Sequence, residues 1–120
     1  MFPPIYQTCV NDAGVVAVLG AEPRIWPFGK ARQGAAKPYA VYQNISGSPE
    51  NYINQTPDAD YNLIQIDIYG DTVESCREAA IALRDAFEPI AHITAWGRED
   101  RDPDTNLFEF SFDTNFITSR

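Results

Sequence analysis

Alternating apolar and polar residues predict most of the strands in this chain. The clearest alternation runs from 61 to 69, where isoleucines 64, 66 and 68 face one way while Gln65 and Asp67 face the other. A second alternating segment, residues 39–45, ends at a run of turn-forming residues, 46–49. The pattern therefore predicts two strands joined by a polar loop that contains a proline.

A third alternating segment lies towards the C-terminus, from 106 to 118. Its phenylalanines, at positions 108, 110, 112 and 116, share one face and can cover a helix or a second protomer. A short apolar strand, residues 90–96, precedes it, and a charged turn separates the two. These two strands are expected to pair as a hairpin.

A period of three to four residues predicts one long helix, over residues 72–88. Asp71, with Glu74 three residues later, resembles a capping box, and Pro89 ends the segment. The apolar stripe of this helix consists of Val73, Cys76, Ala80, Leu83 and Phe87.

Shorter helical periods occur near the N-terminus. One short helix is expected to start at Pro3-Pro4, because prolines are tolerated in a first turn, and a second is capped by Asp12 and stops at Gly20. An extended piece, 24–26, follows, and the prolines and glycines of residues 28–38 predict an exposed, mobile loop.

The order of these elements predicts an α+β fold in a single domain over residues 1–120. The long helix 72–88 is expected to pack on one face of a mainly antiparallel sheet, with a short helical segment at the N-terminus. Two antiparallel pairs are predicted: 39–45 with 61–69, and 90–96 with 107–117.

Charge is distributed unevenly along the chain. Its net charge of −8 disfavours broad binding to a phosphate backbone. Residues 23–49, however, contain four basic residues and no acidic one, namely Arg24, Lys30, Arg32 and Lys37. We interpret Lys30, Arg32 and Lys37 as a docking feature for an acidic partner. The alternative is a small regulatory or nucleic-acid-binding module that uses the basic segment 24–37.

Aromatic residues within that basic segment bear on the alternative. Trp26 and Phe28 alternate with Lys30 and Arg32, as aromatic and basic residues do in proteins that bind single strands. The acidic remainder of the chain favours a simpler interpretation. In it, Trp26 and Phe28 anchor the loop in the core while its charges stay in water.

Other sequence features give no sign of a membrane protein or a secreted one. No apolar run approaches the ~20 residues of a bilayer span, and no signal-peptide pattern is present. Two cysteines, Cys9 and Cys76, fit a reducing compartment and are expected to behave as small buried hydrophobes.

No catalytic or cofactor motif emerges from the sequence. The one histidine, His92, lies in a predicted strand and is interpreted as a structural residue, with no nucleophile beside it. A glycine-rich phosphate loop is missing, so no cofactor is predicted. Asp67 is the one candidate if the chain is a small enzyme, but the prediction is that it is not an enzyme.

The acidic turn resembles a calcium loop only in part. Asp100, Asp102 and Asp104 occupy the first, third and fifth places of such a loop. Thr105 stands where glycine is needed and Ser111 where a bidentate glutamate is needed. We therefore predict a solvated turn and no metal.

Four segments resemble the tail-completion or tail terminator proteins of long-tailed bacteriophages. They are the Arg-Ile-Trp-Pro run at 24–27, residues 38–47, residues 62–70 and the helix 72–87. Family members often carry tyrosine where this chain has Trp26, a conservative difference. The resemblance covers residues 20–88 well and the C-terminal strands loosely.

This resemblance implies a small α+β protein that forms a ring, commonly a hexamer. Such a ring caps the finished tail tube, stops its polymerisation and presents a surface for joining the head. The implied partners are further copies of the chain, the tail tube protein and a head-completion or connector protein. The implied location is the head-proximal end of the virion tail, after assembly in the bacterial cytoplasm.

Overall fold

A computed structural model describes residues 2–51 and 53–120, with every side chain in those ranges except that of Arg98. Eight elements follow along this part of the chain: α1 (Ile5–Val10), α2 (Ala13–Leu19), β1 (Ile25–Pro27), β2 (Tyr39–Pro49), β3 (Ala59–Gly70), α3 (Val73–Phe87), β4 (Ala91–Arg101) and β5 (Phe108–Ser119).

The strands form one sheet in the order β1-β2-β3-β5-β4. β2 pairs with β3, β3 with β5 and β4 with β5, all antiparallel, while β1 pairs in parallel with β2. Both predicted antiparallel pairs are confirmed, as is the α+β class. The sheet also joins its two halves through β3 and β5, a contact that the local pattern did not predict.

Helix α3 covers one face of the sheet, as predicted. Of its apolar stripe, Cys76, Ala80, Leu83 and Phe87 are buried and Val73 is partly exposed. Phe87 meets Phe116 of β5 edge to face, with ring centroids 5.6 Å apart. The same core contains Phe112 and the three isoleucines of β3 at 64, 66 and 68.

The start of α3 lies one residue later than its sequence pattern indicates. Thr72, not Asp71, is the N-cap: its side chain accepts a hydrogen bond from the Ser75 backbone N–H at 3.1 Å. The Ser75 hydroxyl in turn faces the Thr72 backbone N–H at 3.4 Å, which completes a capping box. Ser75, with its shorter side chain, therefore takes the role in the capping box that the sequence pattern assigned to Glu74.

Strand β2 continues beyond its predicted end at residue 45. Residues 46–49, expected to form a turn, pair with β3 as far as Pro49 and Asp60, after a bulge between Asn44 and Ser46. Strand β1 pairs with β2 only as far as Tyr42. Residues 46–49 of β2 therefore lie at an edge of the sheet, where proline is tolerated. Strand β4 likewise continues past residue 96, to Arg101.

The N-terminal helices pack beside α3, and Asp12 caps α2 as predicted by accepting from the Val15 backbone N–H at 3.0 Å. Arg24 ties this region to the sheet through hydrogen bonds to the carbonyl oxygens of Pro38 at 3.0 Å and Val18 at 3.1 Å. Within the described residues, every helix is too short or too polar to cross a bilayer.

Candidate assembly surfaces

The basic segment is divided by the fold into a structural part and an exposed part. Arg24 is partly buried, and its guanidinium donates to backbone carbonyls, so it serves packing. Lys30 and Arg32 are exposed and Lys37 is partly exposed, within the loop that connects β1 to β2. We call residues 28–38 the basic loop. Its position at the sheet edge makes its charges accessible to a partner.

The aromatic residues beside these charges behave differently from one another. Trp26 packs against Tyr39, with ring centroids 6.0 Å apart, and so helps to hold the base of the loop. Phe28 is 66% exposed, so the expectation that it anchors the loop in the core is wrong. Its backbone N–H donates to the Tyr42 carbonyl at 2.9 Å, and the residue lines a cavity of about 340 Å³ together with Pro3 and Ile5.

A cleft of about 430 Å³ lies at the base of the basic loop. Its walls come from α1, from the segment before β1 and from the loop itself, and include Tyr6, Glu22 and Arg32. The cleft shows that the loop lies towards the α1 side of the β1 edge. Strand β4 forms the opposite edge of the sheet.

Among residues 2–51 and 53–120, no helix covers the second face of the sheet. On β3 the residues that alternate with the buried isoleucines are all partly exposed: Tyr61, Leu63, Gln65, Asp67 and Tyr69. Cross-strand register places Ser111 beside Asp67 and Glu109 beside Tyr69 on the same face. We call this surface the open face. It is polar where the covered face is apolar.

Acidic side chains gather on the β3-β5-β4 half of the open face. Asp67, Glu109 and Asp113 occupy it on β3 and β5, and Asp100 of β4 lies in register with Glu109. We call these four residues the acidic face. The sequence prediction missed this grouping, although alternation alone assigned Asp67 to the side opposite the isoleucines.

The pKa of Tyr69 reflects the burial and the carboxylates around it. Burial, then the nearby carboxylates of Glu109 and Asp67, raise its pKa to about 12, and Tyr39 and Asp102 add to the effect. The ring of Tyr69 stacks on that of Tyr39, with centroids 5.3 Å apart. The open face therefore combines a negative potential with an aromatic pair at the end nearest β1.

The residues considered for catalysis are dispersed. Burial, followed by Asp12, raises the pKa of the Cys9 thiol to about 12, and burial raises that of Cys76 to about 11. His92 is exposed on β4, and its backbone carbonyl accepts a hydrogen bond from the Thr114 hydroxyl at 3.1 Å. Asp67 accepts a hydrogen bond from the neighbouring Gln65 amide at 2.9 Å.

The acidic turn has a local structural explanation. Asp102 accepts the Asp104 backbone N–H through its side chain at 2.9 Å and the Asn106 backbone N–H through its carbonyl at 2.8 Å. Asn106 adopts a left-handed φ of 63°, which asparagine tolerates well. Across residues 2–51 and 53–120, no cluster of three or more metal-binding side chains occurs.

Arg120, directly after β5, forms hydrogen bonds with residues at and just before the start of β3. Arg120 forms two hydrogen bonds with the carboxylate of Asp60, at 2.9 and 3.1 Å, and donates to the Pro57 carbonyl at 3.2 Å. These bonds hold the pKa of Asp60 below its usual range even though burial opposes them. Arg120 therefore ties the residue after β5 to the start of β3 through Asp60 and to the β2–β3 loop through Pro57.

Comparison with known proteins gives a family match and a likeness to solved structures. The model of the family described as tail completion protein gp17 matches residues 3–119. A chain in the structure titled "Virion of native gene transfer agent (GTA) particle" has the same fold, with a TM-score of 0.65 and 14% identity over 97% of this chain and 92% of that one. A comparison with curated protein sequences gave no match.

Proposed function

Because the chain belongs to the tail completion protein gp17 family, and so is a structural protein of the phage virion tail, we propose that it ends the tail as a ring of identical subunits. The ring, a hexamer, caps the finished tail tube at its head-proximal end and stops its polymerisation. Its outer surface joins the head. Its partners are further copies of this chain, the tail tube protein and a head-completion or connector protein.

The observation that carries this proposal is the extent of the family match. It spans residues 3–119, so the sheet, its helical cover and the basic loop all lie inside it. We therefore treat residues 1–120 as a single domain with a single role. That role is assembly in the host cytoplasm and not catalysis, since burial suppresses ionisation of both thiols and His92 is exposed on an outer strand.

Charge supports a docking role for Lys30, Arg32 and Lys37. They extend from an edge of the sheet on a chain whose net charge is −8. Contacts made by exposed charges steer encounter and weaken as salt is added. The same negative charge disfavours the alternative of a nucleic-acid-binding module, because the open face repels phosphates.

The proposal is tested by removing the gene from its phage and supplying the chain in trans. Without the chain, tails are expected to be overlong or to lack heads, as counted by electron microscopy. The wild-type chain should restore length and head attachment, and mass photometry of the purified protein should show a ring of about six subunits. Tails of normal length without the chain would contradict the capping role.

A paired set of variants tests the basic loop within that assay. Lys30→Glu with Arg32→Glu should leave circular dichroism unchanged and weaken capping. The matched control is Arg77→Glu with Arg84→Glu on the outer side of α3, which changes the net charge equally and disrupts only surface ion pairs. Equal loss of capping in both variants would assign the effect to net charge and overturn the role of the loop.

A further inference from the structure

The helical layer leaves one edge strand of the sheet largely uncovered. Helix α3 lies mainly over β3 and β5 and reaches β4 only at its margin. Trp96 of β4 nevertheless lies on the covered face, because it is in register with the buried Phe112 and the two ring centroids are 5.5 Å apart. Trp96 is 51% exposed. The covered face therefore ends at β4 in an aromatic ring that its own subunit only half buries.

Trp96 belongs to an apolar strip and is not a lone exposed side chain. Arg77 of α3 pairs with Glu99 of β4 at 3.0 Å, so this side of the helix faces β4. Ile81 follows Arg77 by one turn and is 49% exposed. Ile93 of β4, on the same face as Trp96, is only partly buried. We call Trp96, Ile81 and Ile93 the β4 strip. A contiguous exposed apolar surface of this kind is typical of an interaction site.

The opposite edge of the sheet presents a cavity on the same face. The cavity of about 340 Å³ beside Phe28 reaches the buried side chains of Ile5 and Ile64. Its rim carries Phe2 and Phe28, which are 75% and 66% exposed. Beyond Tyr42, β2 pairs with β3 and with no other strand of residues 2–51 and 53–120. A second chain can therefore approach the cavity along this edge.

We propose, building on the ring described above, that Trp96 of one subunit inserts into this cavity of the next copy of the chain, against Phe28. A ring requires each subunit to offer two different patches, one for each neighbour. The β4 strip and the cavity meet this requirement, because they lie at opposite edges of one sheet and on the same face of it. Neighbouring sheets then meet edge to edge with their helices on the same side.

The exposed aromatic area suits the centre of such an interface. A large aromatic side chain buries ~150–250 Å², so Phe2, Phe28 and Trp96, at their exposed fractions, leave on the order of 400 Å² in water. A stable contact between two proteins buries ~1,600 Å² in total, so these rings supply about a quarter of that area. Aromatic anchors seated in pockets dominate the binding energy of interfaces. A small apolar ligand in the cavity would leave Trp96 exposed, whereas a second copy covers both patches.

Truncations on each side of the contact test it. Trp96→Ala removes the inserted ring and Phe28→Ser removes the rim of the cavity. Each should raise the protein concentration at which half of the chain is in rings by at least about tenfold, measured by mass photometry. The controls are Ile117→Ala, 51% exposed on the open face, and Ile53→Ser, 99% exposed in the β2–β3 loop, and both should leave that concentration unchanged. Circular dichroism verifies that each variant is folded, and Phe28→Ser tests the contact even if Trp96→Ala unfolds.

Tryptophan fluorescence reports the burial of the ring itself. The chain has two tryptophans, so Trp26→Phe leaves Trp96 as the only one. Its emission should move to shorter wavelength as the protein concentration rises through the range in which rings form, because Trp96 leaves water. Trp96→Phe, which retains only Trp26, is the control and should shift much less, since Trp26 already packs against Tyr39. A Trp96 emission maximum that is identical in monomer and ring would overturn the contact.

Cross-linking identifies the occupant of the cavity. The photoreactive amino acid p-benzoylphenylalanine, placed at position 96, should link to residues 2–5 or 27–28 of the next copy. A mixture of isotopically labelled and unlabelled chains shows, by mass spectrometry, that the linked peptides come from different subunits. The same amino acid at position 117 is the control and should give no such link. Links from position 96 to residues elsewhere in the next copy would overturn the assignment.

The outcomes separate this contact from the ring itself. If the wild-type chain stays monomeric at every concentration, the ring and the contact both fail. If rings form but Trp96→Ala and Phe28→Ser leave them unchanged, the ring stands and this contact is overturned. Rings that persist in both variants but no longer cap tails would likewise overturn it and assign the two patches to the tail tube protein.

Discussion

The two faces of the sheet use the same strands for opposite purposes. On β3, the isoleucines at 64, 66 and 68 are at most 2% exposed beneath the helices, while their neighbours Gln65 and Asp67 remain in contact with water. The covered face gains free energy from burial, which is roughly proportional to the apolar area removed from water. The partly exposed side chains of the open face bury less apolar area, so folding gains less free energy from them.

This contrast also explains where acidic residues are tolerated. A carboxylate on the covered face would lose its hydration in a close-packed interior, at a cost of several kcal/mol. On the open face the same group keeps water on one side, and mutual repulsion is its main cost. A substitution on the covered face is therefore expected to change stability more than one on the open face.

The largest expected effect is a truncation on the covered side. Leu83→Ala, in the fully buried stripe of α3, should lower the free energy of unfolding by ~2–5 kcal/mol, because it leaves a cavity against the sheet. Leu63→Ala, on the open face, is the matched control and should lose much less. Urea unfolding followed by circular dichroism measures both. A loss below about 0.5 kcal/mol for Leu83→Ala would contradict the packing of α3.

Local patterns predicted the covered face well because its chemistry repeats along the chain. Isoleucines two residues apart and the three-to-four-residue stripe of α3 each identify a buried surface without knowledge of what covers it. The pairing of β3 with β5 was not predictable in this way. It joins residues 38 to 60 positions apart, such as Asp67 and Ser111, and no local period in the sequence predicts it.

The ends of β2 and β4 were mispredicted for a related reason. Gly47 reads as a turn residue, but a Cβ there would lie 3.1 Å from the Tyr61 carbonyl oxygen, so glycine permits close strand pairing. Gly97 in β4 is similar, since a Cβ there would clash with the hydroxyl and the backbone of Ser111. From sequence alone, a glycine that lets a neighbouring strand approach closely cannot be distinguished from a glycine that forms a turn.

The candidate surfaces were predicted only in part. The basic loop follows from composition, because residues 23–49 hold four basic side chains and no acidic one. The acidic face could not be predicted from composition. Its residues Asp67, Glu109 and Asp113 come from two strands that are far apart in sequence, and their register depends on long-range pairing. The exposure of Phe28 could not be predicted either, because it depends on the path of the basic loop relative to the sheet.

A second prediction concerns the cap that starts the helical cover. Thr72→Ala should cost ~0.5–2 kcal/mol, because the Ser75 backbone N–H loses its acceptor. Asp71→Ala tests the competing assignment from sequence and should change stability by less. Thermal unfolding of the two variants side by side decides between them. A greater loss for Asp71→Ala would restore the cap predicted by the sequence.

A third, smaller effect is expected for the ion pair between Arg120 and Asp60. Arg120 holds the pKa of Asp60 below its usual range, so the pair stabilises the fold above the ordinary aspartate pKa of about 3.9. That contribution is lost as pH falls through the lowered pKa. Arg120→Met should therefore lower Tm at neutral pH, and the difference from wild type should shrink in acid.

Two controls make this third measurement specific. Asp60→Asn removes the titrating group and should show the same loss of acid dependence as Arg120→Met. Arg84→Met, whose partners lie on the surface of α3, should show little change at either pH. A Tm difference between wild type and Arg120→Met that is constant from neutral pH to pH 2 would contradict the role of Asp60.

The smallest expected effect is at the acidic turn between β4 and β5. Asp102→Asn should change the free energy of unfolding by less than about 0.5 kcal/mol, because an asparagine side-chain oxygen accepts the Asp104 backbone N–H equally well. Added calcium or chelator should leave Tm of both chains unchanged, measured by calorimetry at fixed ionic strength. If calcium raised Tm of the wild type but not of Asp102→Asn, the turn would be a metal site after all. An unchanged Tm would instead mean that these carboxylates, like those of the open face, carry charge without supporting the fold.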